Sequence, residues 1–294
     1  VTLSHNKNSV KQLTGEEVQL WEANFGYSQN THIIGINQPL GQMYGYITEG
    51  LYQVSDFDYD ATTQTYTLKD GIPYAGDKAN VKPGMWKFKN VDGSEDNKIT
   101  EEDKTVIGNA YPKFYGGINN TFTYKDFDLS IFLTYSFGND VLNATKLTNT
   151  KTALQNKNVL AAADSHNRWV LVNKSGELIT DPQEMAEINR GKTVAAIYDN
   201  EVGDTYIHSW AVEDGSFLKL SNITLGYTFP KKIIEKIGIS KLRLYATGSN
   251  LLTWTKYSGF DPEVSTMGNG LTPGVDFGAY PKSRSFVFGI NLAF

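Results

Sequence analysis

The side chains best placed to do chemistry lie in one acidic stretch, Asp92-Gly-Ser-Glu-Asp-Asn-Lys-Ile-Thr-Glu-Glu-Asp103. Taking Asp92 as position one puts Ser94 at three, Asp96 at five, the Lys98 carbonyl at seven, Ile99 at the apolar eighth place and Asp103 at twelve. Hard oxygens at that spacing wrap a calcium ion. Asn97 takes the sixth place, where glycine is usual, and tolerates a left-handed backbone. Asp103 is shorter than the usual glutamate. The same residues support a second reading, a solvated acidic turn followed by a helix start at Thr100, with Asp103 closing a Thr-x-x-Asp cap. Both readings stand at this point.

Trp86, Trp169 and Trp210 are the other residues whose type suggests ligand contact. An indole stacks on a sugar ring or packs against a partner protein, but large aromatics also fold long loops onto themselves. The four histidines, His5, His32, His166 and His208, share no metal-ligand spacing. The chain has no cysteine, which removes disulfides, thiolate metal sites and cysteine nucleophiles. Chain order nominates no Ser, His and Asp constellation, so no enzyme activity is expected, and calcium is the one cofactor considered. A formal charge of −5 with scattered Lys and Arg offers no field for nucleic acid.

The segments that must position these residues alternate with a period of two. From Arg284 to Phe294 the even positions carry Phe286, Phe288, Ile290, Leu292 and Phe294, against Ser285, Val287, Gly289, Asn291 and Ala293. That pattern is a strand with lipid on one side and a crowded or watery interior on the other. Phe127 to Phe137 alternates in the same way and joins Phe114 to Tyr124 through Lys125-Asp126, a tight hairpin. Phe217 to Phe229, Lys241 to Leu252 and, more weakly, Ile33 to Thr48 complete the set. Each is near the roughly 9 to 11 residues that a tilted strand needs to cross a bilayer. The count is seven to eight strands, too few to close a barrel, so the expectation is a piece of a longer chain. Val1 to Leu3, which read as the end of a strand already in progress, point the same way.

Composition is neutral on this point. The 40% hydrophobic content and mean hydropathy of −0.37 are ordinary, because alternation dilutes lipid-facing residues. Connection lengths are more telling. Long segments at about 49–113, 138–215 and 253–282 alternate with short ones at 125–126 and 230–240. Outer-membrane barrels have long extracellular loops and short periplasmic turns, which sorts these connections by side. In the second short connection Lys231 to Ile237 has the pattern of one helical turn, stopped by Gly238. Tyr124, Phe137, Phe229, Trp254 and Tyr257, near strand ends, are expected in interfacial aromatic girdles.

Several strings resemble the C-terminal part of the SusC/RagA family of TonB-dependent outer-membrane transporters. They are Gly41-Gln-Met-Tyr-Gly-Tyr-Ile-Thr-Glu-Gly-Leu-Tyr52, Asp103-Lys-Thr-Val-Ile-Gly108 with Tyr111-Pro-Lys-Phe-Tyr-Gly-Gly117, Ser249-Asn-Leu-Leu-Thr-Trp254 with Gly259-Phe-Asp-Pro-Glu263, and Tyr280-Pro281 through to Phe294. The resemblance spans nearly the whole chain in family order. It implies an all-β fold, the C-terminal portion of a 22-stranded antiparallel transmembrane barrel filled by a plug, in the outer membrane of a Bacteroidetes-like Gram-negative cell. It further implies energisation by TonB, a SusD-like lipoprotein lid, and a glycan or peptide as cargo. Phe294 would be the insertion signal read by the barrel-assembly machinery. Related proteins often carry an acidic loop just before the Asp103-Lys-Thr-Val-Ile-Gly108 string. A surface glycan-binding module that does not transport is the alternative.

Overall fold

The computed structural model describes residues 1–23, 25, 29–150, 158–198, 206–266 and 269–294. Its frame is one antiparallel sheet of six strands: β1 (Thr2–Ser4), β2 (Phe114–Tyr124), β3 (Phe127–Phe137), β4 (Phe217–Thr228), β5 (Lys241–Thr255) and β6 (Ser285–Ala293). They lie side by side in chain order, from β1 at one edge to β6 at the other. Register sorts the side chains. Phe122 pairs with Leu129, Leu129 with Leu225, Leu225 with Ala246 and Ala246 with Phe288, so one row across five strands is apolar. One position along, Thr121, Ser130, Thr224, Thr247 and Val287 form a row on the opposite face. Paired residues in a sheet share a face, and neighbours along a strand do not.

The apolar face is bare. Phe288 is 80% exposed, Phe286 66%, Phe122 57% and Leu225 51%, with Leu252 and Trp254 continuing the surface. A soluble sheet would bury such a face or carry charges there, and a patch this continuous marks contact with something apolar. Among the described residues no helix is long and apolar enough to cross a membrane.

The two short connections lie at one end of the sheet. Lys125, at φ 52°, turns β2 into β3. Between β4 and β5, Lys231–Ile234 is a single α-turn extended by a 3₁₀ turn over Glu235–Ile237. Gly238 ends it at φ 76°, a conformation that costs a glycine little. All long connections sit at the other end and share cores of their own, one built around Tyr46, Trp86, Phe88, Ile99 and Trp169.

Two expectations need correction. Ile33 to Thr48 is not one wall strand: it splits into parts of Asn30–Gly35, Gln42–Gly45 and Thr48–Leu51. Pro39 lacks a ladder donor, and Asn37 and Gly41 both take positive φ, so the chain turns back there. The first two of these strands belong to a separate four-stranded sheet at the loop end, between Thr105–Asn109 and Val18–Glu22. Among the described residues the wall therefore has six strands, and the first long connection begins near residue 5 rather than 49. Tyr257 is the other correction. It is buried rather than part of a girdle, its hydroxyl 2.6 Å from Asp276 Oδ2.

Candidate functional site

The face opposite the apolar one is lined with small and polar groups that bond to each other across strands. Thr134 and Ser221 hydroxyls lie 2.7 Å apart, those of Thr224 and Thr247 2.9 Å, and Ser249 donates to Asn222 Oδ1 at 2.7 Å. Nearer the short-turn end, Arg243 of β5 reaches over β4 to Asp128 of β3, Nη2 to Oδ2 at 2.6 Å and Nε to Oδ1 at 3.0 Å. Gly226 lies between them, and a Cβ there would collide with both side chains. Such a face suits an aqueous interior, and the bidentate pair keeps its charges satisfied beside it.

Toward the loop end this face is covered. Lys219 of β4, almost fully buried, sets its ammonium 2.7 Å from Glu263 and 3.3 Å from Asp261, both in the connection between β5 and β6. Lys282 joins them at 2.7 Å from Glu263. Burial pushes the Glu263 carboxyl up, but Lys219 and Lys282 outweigh it and hold the group below its usual range. The same connection walls a cleft of about 850 Å³ together with Phe132, Thr134, Ser136 and Asp140. Burial raises the Asp140 carboxyl, although the Asn109 N–H donates to it.

A second chamber of about 500 Å³ lies among the loops, lined by Asn143, Lys146, Trp210, Phe260 and Asp276 among others. Its charged groups are held by residues behind the lining, Asp276 by the Tyr257 hydroxyl and Lys146 by Glu213. Lys146 lies 3.0 Å from Glu213 and 4.0 Å from the Trp210 ring centre. Burial raises the Glu213 carboxyl, yet the Ser258 N–H and Lys146 hold it below the ordinary value.

The residues singled out from sequence fall as follows. Trp169 and Trp86 are buried in the loop core, and Trp86 packs 4.9 Å from Trp210, ring centre to ring centre. Trp210 lines the second chamber, and Lys146 sits over its ring. In the acidic stretch Asp103 is buried and accepts from the backbone N–H of Val91 at 2.7 Å, Asp92 at 3.3 Å and Thr100 at 2.8 Å. Thr100 caps the 3₁₀ turn Glu101–Asp103 with Asp103 completing the reciprocal box. Asp92 accepts from Ser94 N–H and Asp96 from Lys98 N–H, so each carboxylate serves its own turn. Among the described residues no three His, Asp or Glu side chains converge as a metal site. The arrangement present is the capped acidic turn. Asn97 has φ 56°, the left-handed conformation considered for it. Phe294 follows β6 and is exposed.

Sequence reasoning left Lys219, Asp261, Glu263, Lys282 and the Asp128–Arg243 pair unassigned. The available signal was a cation at a polar-face position inside a wall strand, Lys219 as the one charge of β4 and Arg243 within β5, since a charge there needs a partner.

No family model matches the chain. TonB-dependent receptor P3 of Formosa agariphila is 30% identical over 298 residues, which cover 99% of this chain and 26% of that protein. TonB-dependent receptor SusC of Bacteroides thetaiotaomicron is 28% identical over 206 residues, 69% of this chain and 17% of SusC. A solved structure of the RagAB peptide transporter matches with a TM-score of 0.63 at 21% identity, over 99% of this chain and 26% of that one. The chain thus spans 26% or less of the length of these relatives.

Proposed function

Because this chain belongs to the SusC/RagA family of TonB-dependent receptors, we propose that it is the barrel-wall and loop portion of an outer-membrane nutrient importer. The observation that carries the reading is the sorting of the sheet. One face is apolar and bare over five strands, the other is polar and cross-bonded, and every long connection leaves from the same end. On this reading the apolar face meets lipid and the polar face lines the lumen. The turns at 125–126 and 230–240 are periplasmic, and the long connections are extracellular.

The work is gating and containment rather than bond chemistry. A cargo of glycan or peptide would be captured at the extracellular loops with a SusD-like lipoprotein, and a TonB-coupled plug elsewhere in the protein would open the path. This segment supplies a rigid wall, because Lys219, Asp128 and Arg243 on its inner face are already paired and its loops are packed around aromatic cores. RagAB is described as a peptide transporter, so peptides enter the first assay beside glycans.

The test uses the full-length protein in its own cell. It should fractionate with the outer membrane, and uptake of labelled oligosaccharides or peptides through it should vanish when TonB is deleted. Recovery in the soluble fraction, or uptake indifferent to TonB, would overturn the reading.

A further inference from the structure

The connection from β5 to β6, in its described residues 256–266 and 269–284, folds back over the polar face instead of projecting from the rim. Lys219 shows this most directly. It pairs in register with Thr134 and Thr253, both on that face, and its side chain is only 4% exposed. What buries it is the connection: Asp261 Oδ2 at 3.3 Å and Glu263 Oε2 at 2.7 Å. Lys282 at the far end of the connection closes the group, 2.7 Å from Glu263 and 3.6 Å from Asp261. Two ammonium groups face two carboxylates, so the cluster is neutral as a set and unbalanced if any member is lost.

The rest of the connection is anchored to other loops. Val275 and Asp276 pair in parallel with Leu142 and Asn143, Tyr257 bonds Asp276, and His32 Nε2 lies 2.9 Å from the Pro273 carbonyl oxygen. The charged quartet ties its middle to the wall. With the tie in place, Pro262, Val264 and Pro273 form one side of the 850 Å³ cleft, and Phe132 and Thr134 of β3 form the other. The connection therefore takes up space along the face assigned above to the lumen.

We propose that the described parts of this connection, residues 256–266 and 269–284, form an inward strap, latched to the barrel wall by Lys219, Asp261, Glu263 and Lys282, that narrows the passage along this stretch of the lumen. The inference rests on the transporter reading. A buried ion cluster suits a latch because its stability is cooperative: removing one partner strands the others in a poorly solvated place, whereas exchanging the partners keeps the balance.

The experiment places a cysteine at Val264 in the full-length protein and follows its reaction with a membrane-impermeant maleimide on intact cells. Lys219→Met is expected to speed labelling about tenfold, in line with the loss of roughly 1.4 kcal/mol of closure. Exchanging the charges, Lys219→Glu with Glu263→Lys, should restore slow labelling. Lys282→Met, at the half-exposed member, should give an intermediate rate and serves if Lys219→Met fails to assemble. The gain should be larger for a bulky polymer-linked maleimide than for a small one, because the strap narrows the approach to Val264 while the plug still closes the barrel below. Unchanged labelling in an outer-membrane-located Lys219→Met or Lys282→Met protein overturns the latch, and equal gains for the small and the bulky reagent overturn the narrowing. Absence of the parent protein from the outer membrane overturns the transporter reading instead.

Discussion

Arg243 and Asp128 stand on strands separated by β4, and they meet in two parallel hydrogen bonds of 2.6 and 3.0 Å because the residue between them is Gly226. Three strands are thereby clamped on the polar face by one side chain. Gly226→Ala should displace the guanidinium and weaken both bonds. Charge-assisted hydrogen bonds contribute about 1.5–3 kcal/mol, and partial exposure of this pair favours the low end. The expected result is a lower denaturant midpoint for Gly226→Ala that is not additive with Asp128→Asn. Additive losses would mean that glycine matters there for another reason.

Leu225 and Thr224 are neighbours on β4 at nearly the same depth but on opposite faces. Arginine facing lipid near the bilayer midplane costs about 2–4 kcal/mol, whereas a lumenal substitution is tolerated. Leu225→Arg should therefore sharply lower the amount of folded protein in the outer membrane, and Thr224→Arg should lower it little. Equal yields from the two variants would contradict the assignment of faces.

His32 is fully buried between Thr31 and the Pro273 carbonyl oxygen, and burial lowers its pKa from 6.5 to about 4 against the raising effect of the Pro273 bond. It is therefore neutral in the folded loops at neutral pH. The sign follows: the stability it contributes is complete above pH 6.5 and drains away as pH falls toward 4, to roughly 3 kcal/mol in all. Glu213 and Glu263, held below their usual range, lose stability in the same direction. The histidine is isolated by comparing parent with His32→Asn. Thermal stability should fall less steeply between pH 6.5 and 4 in the variant, and parallel curves would remove His32 as the cause.

What the sequence disclosed divides along the range of the interactions. β2 and β3 were legible to their end residues, because alternation and a two-residue turn are local. The far end of β5 was not. A register shift between Leu220 and Asn222, with Asn250 at φ 53°, resets the alternation, so the strand runs on to Thr255. Ile33 to Thr48 had enough apolar residues to suggest a strand, but its turn chemistry at Asn37, Pro39 and Gly41 prevailed. The girdle role expected of Tyr257 and the unassigned partners of Lys219 share one cause. Asp276, Asp261 and Glu263 arrive through the folding of a long loop, and spacing along the chain carries no signal for such a meeting.

The acidic stretch allows two uses of the same carboxylates, and Asp103 is the residue at which they compete. Both of its oxygens accept from backbone N–H groups, those of Val91, Asp92 and Thr100. A calcium ion at the twelfth position would have to share that carboxylate with the backbone N–H groups of Val91, Asp92 and Thr100. Melting of the parent should therefore be the same with added calcium as with chelator. Asp103→Ala should lower the melting temperature by several degrees under both conditions, a loss of order 1–3 kcal/mol. A calcium-dependent rise in the parent that disappears in Asp103→Ala would instead show that the loop rearranges around the ion, with the cap as its metal-free form.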